Sequence, residues 1–102
     1  MARNRRIHPS FFKDGRLAEC SPEARVFLLG LWCCADDEEQ VEFSPAQLKA
    51  QIFPADDIDV AALVDELHAQ GFVERFRADG RHWLRVIYFS RPLYRRGRSA
   101  AR

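Results

Sequence analysis

Apolar and polar positions change their period along this chain, and the changes mark its elements. From Val26 to Ala35 the run "VFLLGLWCCA" is apolar nearly all the way round, which predicts a central, buried helix rather than a surface one. Ser21 as N-cap, Pro22 at the first helical position and Glu23 in the first turn mark its start. Gly30 inside it lowers helix propensity by about 1 kcal/mol, so a neighbouring element is expected to pack closely there. Further on, Val60, Leu63, Val64 and Leu67 recur at the i, i+3, i+4, i+7 spacing of an amphipathic helix, capped by Asp59 or Asp57 and stopped by Gly71. Between these two helices, a solvated acidic turn at Asp36 to Glu39 precedes a short candidate strand, Val41 to Phe43. Ser44-Pro45 then repeats the helix-start signal and predicts a short second helix ending before Pro54.

After Gly71 the period falls to two. With Asp79-Gly80 at the turn, a hairpin pairs Arg77 with His82, Phe76 with Trp83, Glu74 with Arg85 and Phe72 with Ile87. An aromatic pair and an opposite-charge pair then support the register, each by about 0.2–1 kcal/mol. Ahead of the first helix, "IHPSFFKDGRLAEC" predicts a short extended segment ending in a turn at Asp14-Gly15. The order helix, short strand, helix, helix, hairpin predicts a mainly α fold with a small antiparallel β hairpin, the winged helix-turn-helix arrangement. Residues 1–89 form that domain, with a basic N-terminal arm at 1–8, and residues 90–102 are expected to be a flexible basic tail.

Composition narrows the class. A chain of 102 residues, 47% hydrophobic and 30% charged, supports one soluble domain with a modest core. The longest apolar run is too short to span a bilayer, and the basic N-terminus has no apolar run behind it as a secretory signal would. The expected place is the cytoplasm, that of the host cell if the protein is phage-encoded, with no membrane partner. Cys20, Cys33 and Cys34 are odd in number, lack a Cys-x-x-Cys spacing and are expected to be reduced structural thiols, with no metal and no cofactor.

Charge changes the picture more. The net charge of +1 is the sum of +4 over 1–16, −10 over 17–70 and +7 over 71–102. A near-neutral total therefore coexists with a nucleic-acid face, since local patches act within about 8–10 Å.

The runs "HPSFFKDGRLAECSPEARVFLLGLWCCADD", "LKAQIFPADDIDVAALVDELHAQGFV" and "DGRHWLRVIYF" add a further signal. Together they resemble a helix-turn-helix domain of phage-encoded proteins, often found at the front of replication-initiation or replisome-organiser proteins. The resemblance covers about Arg3 to Phe89 and implies a winged-helix fold, a phage or prophage origin and DNA handling in replication or transcription. The chain departs from the family pattern twice. A Gly usual after the acidic turn is replaced by Glu38-Glu39-Gln40, and the long second region of many members is expected to be absent here.

Double-stranded DNA is the partner this pattern favours. The third helix offers Ala62, Asp65, Glu66 and Ala69 opposite its apolar stripe, poor groups for reading base edges. The candidate contacts are instead Arg75, Arg77, Arg81 and His82 on the hairpin, with Lys49 and Gln70 on the helices. Arg3, Arg5 and Arg6 in the arm and Arg91, Arg95, Arg96 and Arg98 in the tail are candidate phosphate contacts. A transcription regulator of this class predicts a homodimer on a two-fold site. The alternative is a small inhibitor or protein-binding module that docks on a basic surface of a host or phage protein. It would use Asp36, Asp37, Glu38, Glu39, Asp65 and Glu66. No Ser-His-Asp grouping, phosphate loop or Gly-rich motif points to an enzyme, and His8, His68 and His82 lie on different elements.

Overall fold

Local capping chemistry decides where each helix begins and ends. The computed structural model describes residues 4–90. Over them the chain is an α/β domain with four α-helices and a small three-stranded antiparallel sheet. The helices are α1 (Gly15–Ala18), α2 (Pro22–Cys34), α3 (Pro45–Ile52) and α4 (Val60–Ala69). The strands are β1 (Gln40–Glu42), β2 (Val73–Ala78) and β3 (Arg81–Val86), in the order β1-β3-β2. Short 3-10 helices at Pro9–Lys13 and Tyr88–Ser90 flank the whole.

Ser21 Oγ accepts the Ala24 N–H at 3.1 Å and Asp59 Oδ1 accepts the Ala62 N–H at 3.3 Å, the caps expected for α2 and α4. Gly71, at φ +77, ends α4: its N–H bonds to His68 O at 2.9 Å while the Phe72 N–H bonds to Leu67 O at 3.0 Å. That pair of bonds is the left-handed glycine stop, which satisfies the last carbonyls and redirects the chain into β2. Ser44 makes no side-chain cap bond, so Pro45 alone supplies the start signal of α3.

The hairpin register is the predicted one, with Arg77 opposite His82, Phe76 opposite Trp83 and Glu74 opposite Arg85. Beyond the ladder, Ile87 N–H still reaches Phe72 O at 3.1 Å. Asp79 (φ 55) and Gly80 (φ 74) both sit in the left-handed region, as a two-residue turn matched to strand twist requires. The hairpin is not alone, however. β1 pairs along β3, Val41 opposite Leu84, so the mainly α expectation becomes a helical layer on a three-stranded sheet.

Two other expectations are corrected. The N-terminal segment is helical, not extended. His8 Nδ1 accepts the Ser10 N–H at 3.1 Å at the head of the 3-10 helix, and Asp14 Oδ1 accepts the N–H groups of Arg16 and Leu17 at 2.9 and 3.2 Å. Asp14 is thus a helix cap, with Gly15 the first helical residue, rather than the middle of a turn. The second correction concerns α2. Phe27, Leu28, Leu31 and Trp32 are buried, but Val26 is 50% exposed and Leu29, Cys33 and Cys34 are half-buried. Among the described residues Val26 is left open on that side, while Leu29 packs on the core and Cys34 reaches Gln51 of α3.

The core has no buried polar or charged residue among those described. Val60, Leu63, Val64 and Leu67 of α4 meet α2, while Val73, Leu84 and Val86 present one face of the sheet to them. An aromatic group closes the far end. Trp32 stacks on Phe89 at 4.3 Å between centroids, Phe11 and Phe72 meet Tyr88 edge-on, and the Tyr88 hydroxyl donates to Asp14 Oδ2 at 3.0 Å. The N-terminal turn is thereby pinned to the last residues of the domain.

Gly30 does permit a close approach. A methyl group there would lie 2.7 Å from Cδ1 and Cγ2 of Ile52 on α3. Overpacking of that kind costs about 1–3 kcal/mol, against about 1 kcal/mol gained in helix propensity. Gly30→Ala is expected to destabilise the domain by about 1 kcal/mol in urea denaturation. Ile52→Ala should cost less in that background than alone, with a coupling of about 1 kcal/mol. Additive effects of the two substitutions would show that this approach does not constrain the fold.

Candidate nucleic-acid interface

Alternation along the hairpin sorts its cations onto two faces. Arg75, Arg77 and His82 extend the face that carries Val73, Leu84 and Val86, so they project past the core on the side where α4 lies. Arg81 and Arg85 take the opposite face with Phe76, Trp83, Glu74 and Glu42. On that outer face the charges are internally matched. Arg81 lies 3.6 Å from Glu42, and Arg85 lies 3.2 Å from Glu74 with its guanidinium 5.2 Å from the Phe76 ring centre. Trp83 donates its indole N–H to Ala78 O at 3.2 Å.

On the α4 side the arrangement differs. Arg75 bonds to Asp65 at 2.8 Å and lies over the ring of Phe43, 5.4 Å from its centre. Both partners are substantially exposed, at 44% and 69%, so the pair is worth about 0–1 kcal/mol and is readily exchanged. Arg77 and His82 stand directly opposite each other and, among the described residues, neither side chain has a hydrogen bond or ion pair. This is the one cross-strand pair of the hairpin whose donors both remain available.

The other predicted contacts are placed as follows. Arg5, expected in a free basic arm, instead closes the C-terminus of α2. Its guanidinium donates to Trp32 O and Ala35 O, both at 2.9 Å, and to Asp36 O at 3.3 Å, while lying 4.3 Å from the Trp32 ring centre. A cation at a helix C-terminus satisfies orphan carbonyls and opposes the dipole. Arg6 has its carbonyl fixed by the Trp32 indole N–H at 3.2 Å. Lys49 donates to Phe53 O at 3.4 Å and lines a shallow recess between the starts of α3 and α4 with Ile58 and Asp59. Gln70 caps α4, its carbonyl accepting from Arg16, whose guanidinium lies 5.1 Å from the Phe72 ring centre. Arg3, Arg91, Arg95, Arg96 and Arg98, with the 90–102 tail beyond Ser90, lie outside the described residues.

The acids are more structural than their solvated-face reading predicts. Glu66 takes both the N–H and the hydroxyl of Ser21, the hydroxyl at 3.0 Å, and so ties α4 to the cap of α2. Asp36 Oδ1 accepts the N–H groups of Glu38 and Gln40 at 2.8 and 3.0 Å, shaping the turn into β1. Glu39 holds a left-handed φ of 64 and accepts from Ser90 Oγ at 3.0 Å. A non-glycine residue takes that conformation at a steric cost. Asp37 and Glu38 remain exposed.

Burial raises the thiol pKa of Cys20, with the Glu66 charge adding to the effect, and burial likewise raises that of Cys34, whose Sγ donates to Gln51 Oε1 at 3.2 Å. Thiols held protonated are poor nucleophiles and poor metal ligands. Among the described residues no three His, Cys, Asp or Glu side chains converge on a metal position, and no helix is long and apolar enough to cross a membrane.

Sequence reasoning did not find Phe43 as the surface beneath Arg75, nor Glu66 as a cap. Glu66 and Ser21 are 45 positions apart, and no local pattern links them. No protein-family model, curated protein or solved structure matches the chain.

The two neighbouring acids of α4 should therefore behave differently. Glu66→Ala removes two bonds to a charged acceptor at a partly buried cap and is expected to lower stability by about 1–2 kcal/mol. Asp65→Ala breaks an exposed pair and should change stability by less than about 1 kcal/mol. Thermal or urea unfolding of both variants checks the contrast; equal effects would mean Glu66 is merely solvated.

Proposed function

We propose that this domain is a winged-helix DNA-binding module of the phage replication or transcription kind, with β2 and β3 as the wing. The element order and the β1-β3-β2 sheet support the fold assignment. The observation that carries the function is the Arg77–His82 pair, exposed and unpartnered on the wing face beside α4. These two donors meet a phosphate backbone or the edge of a minor groove, and Arg75 joins them by exchanging Asp65 for phosphate. The outward side of α4 offers Ala61, Ala62, Asp65, His68 and Ala69, which provide little base readout. Binding on this reading is backbone-dominated, salt-sensitive and weakly selective for sequence.

The acidic docking alternative draws less support from the geometry. Asp36, Glu39, Asp65 and Glu66 each accept bonds within the chain, so most of that acidic set is already engaged by the fold.

A salt titration of binding to random duplex DNA tests the proposal. Each phosphate neutralised contributes about 0.9 to the slope of log affinity against log salt, so Arg77→Ala should weaken binding and flatten the slope by about one contact. Asp65→Asn, which frees Arg75 and removes a negative charge from the interface, should tighten binding at low salt. Binding that is undetectable at low salt, or indifferent to both substitutions, would overturn the assignment.

A further inference from the structure

We propose that His82 meets the DNA backbone as the imidazolium, which makes a proton the second ligand of the wing. This proton uptake rests on the DNA-binding reading above and gives that binding a sign: it tightens as pH falls. Position singles out this histidine from the three in the chain. His8 is engaged at the N-terminal 3-10 helix, where Nδ1 accepts the Ser10 N–H at 3.1 Å and lies 3.0 Å from Ser10 Oγ. His68 stands in the last turn of α4, beside the Gly71 stop. His82 is the one on the hairpin, exposed and, among the described residues, without a side-chain hydrogen bond or ion pair.

The charges that face it are known from every side. Arg77 is its cross-strand partner, and such pairs stand about 4.5–5.5 Å apart at Cβ. Arg75 follows on the same face of β2 and is bonded to Asp65 of α4 at 2.8 Å. On the β1 side the neighbour is Phe43, whose N–H bonds to His82 O at 2.9 Å, while Glu42 takes the opposite face with Arg81. Lys49 of α3 is turned to Phe53 O. Asp79 sits in the turn and, among the described residues, is in no ion pair with either side chain.

Like charges set directly opposite on a sheet repel, and an anion that bridges Arg77 and a charged His82 replaces that repulsion with attraction to a shared partner. A backbone phosphate is such an anion. It accepts from both side chains, and contact with it favours the charged ring over the neutral one, which offers a single N–H without the charge. An imidazole changes charge between about pH 5 and 8, while a phosphate diester stays anionic across that range. A proton held more tightly in the complex than in the free protein adds affinity at low pH, and that affinity is lost as pH rises through the histidine range.

Binding of the full chain to a random-sequence duplex at low salt, followed between about pH 6 and 7.5, tests this. That window lies above the ordinary carboxylate range and below that of lysine. The expected result is affinity about three- to tenfold higher at pH 6, with a salt slope steeper there by about 0.9, one further phosphate contact. Calorimetry in buffers of different ionisation enthalpy is expected to count up to about one proton taken up on binding. His82→Gln should remove the pH dependence, and His82→Lys should give the tighter, pH-independent binding of a fixed cation. His82 is exposed, so both variants keep the core; if circular dichroism shows one of them unfolded, the other decides. Duplex binding that stays constant across the window overturns the proposal and leaves the DNA-binding reading standing. A pH dependence that survives His82→Gln, or that His68→Gln abolishes, also overturns it. Absence of binding at every pH overturns both.

Discussion

The bond between Glu66 and the cap of α2 is the constraint from which the geometry of the candidate interface follows. By taking both donors of Ser21, Glu66 fixes the rotation of α4 about its own axis. Neighbouring residues on a helix point about 100° apart, so fixing Glu66 inward also fixes where Asp65 emerges. It emerges under the hairpin, where Arg75 reaches it at 2.8 Å while resting on Phe43. The two acids that give α4 its unpromising appearance are thus a matched pair of fasteners. One holds the helix to the helical layer and the other holds it to the sheet. They differ in strength because they differ in exposure: charge-assisted bonds at a partly buried cap resist water, while an open ion pair competes with it.

How much of this was legible from the residues depended on distance along the chain. Caps, the Gly71 stop, the Asp79-Gly80 turn and the hairpin register are set by chemistry within a few positions, and each was readable. Gly30 announced a close neighbour, though not that the neighbour is Ile52. What escaped is non-local or conditional. Arg5 looks like part of a basic arm until α2 ends beside it with carbonyls to satisfy, some thirty positions on. Asp14-Gly15 is an equally good turn or helix start, and the Tyr88 hydroxyl on Asp14 favours the helical outcome from 74 positions away. The apolar circumference of α2 predicted complete burial because periodicity reports how apolar a face is, not whether anything in the chain will cover it.

That last mismatch has a physical consequence. A small domain has limited material with which to enclose a helix that is apolar all round, and here the sheet, α3 and α4 occupy the other sides. Val26 on that helix and the neighbouring Phe12 are accordingly left 50% and 75% exposed.

The charge distribution completes the argument. The acid-rich middle and basic ends make the molecule dipolar, yet much of the acid is folded inward as caps and turn formers: Glu66 on Ser21, Asp36 on the turn into β1, Asp14 and Asp59 at helix starts. Basic groups treated the same way, Arg5 and Arg16, are likewise withdrawn onto carbonyls. What this internal pairing leaves outward on the α4 side of the sheet is Arg77 with His82, and next to them Arg75 on an exchangeable partner. An anionic backbone arriving there competes with one exposed carboxylate rather than with the whole negative charge of the helical region, because within a Debye length of about 8–10 Å only near charges count. On the proposed DNA-binding reading, α4 would serve to hold the hairpin rather than to read bases. The same contact that positions Arg75 also sets how strongly it must be drawn before it lets go.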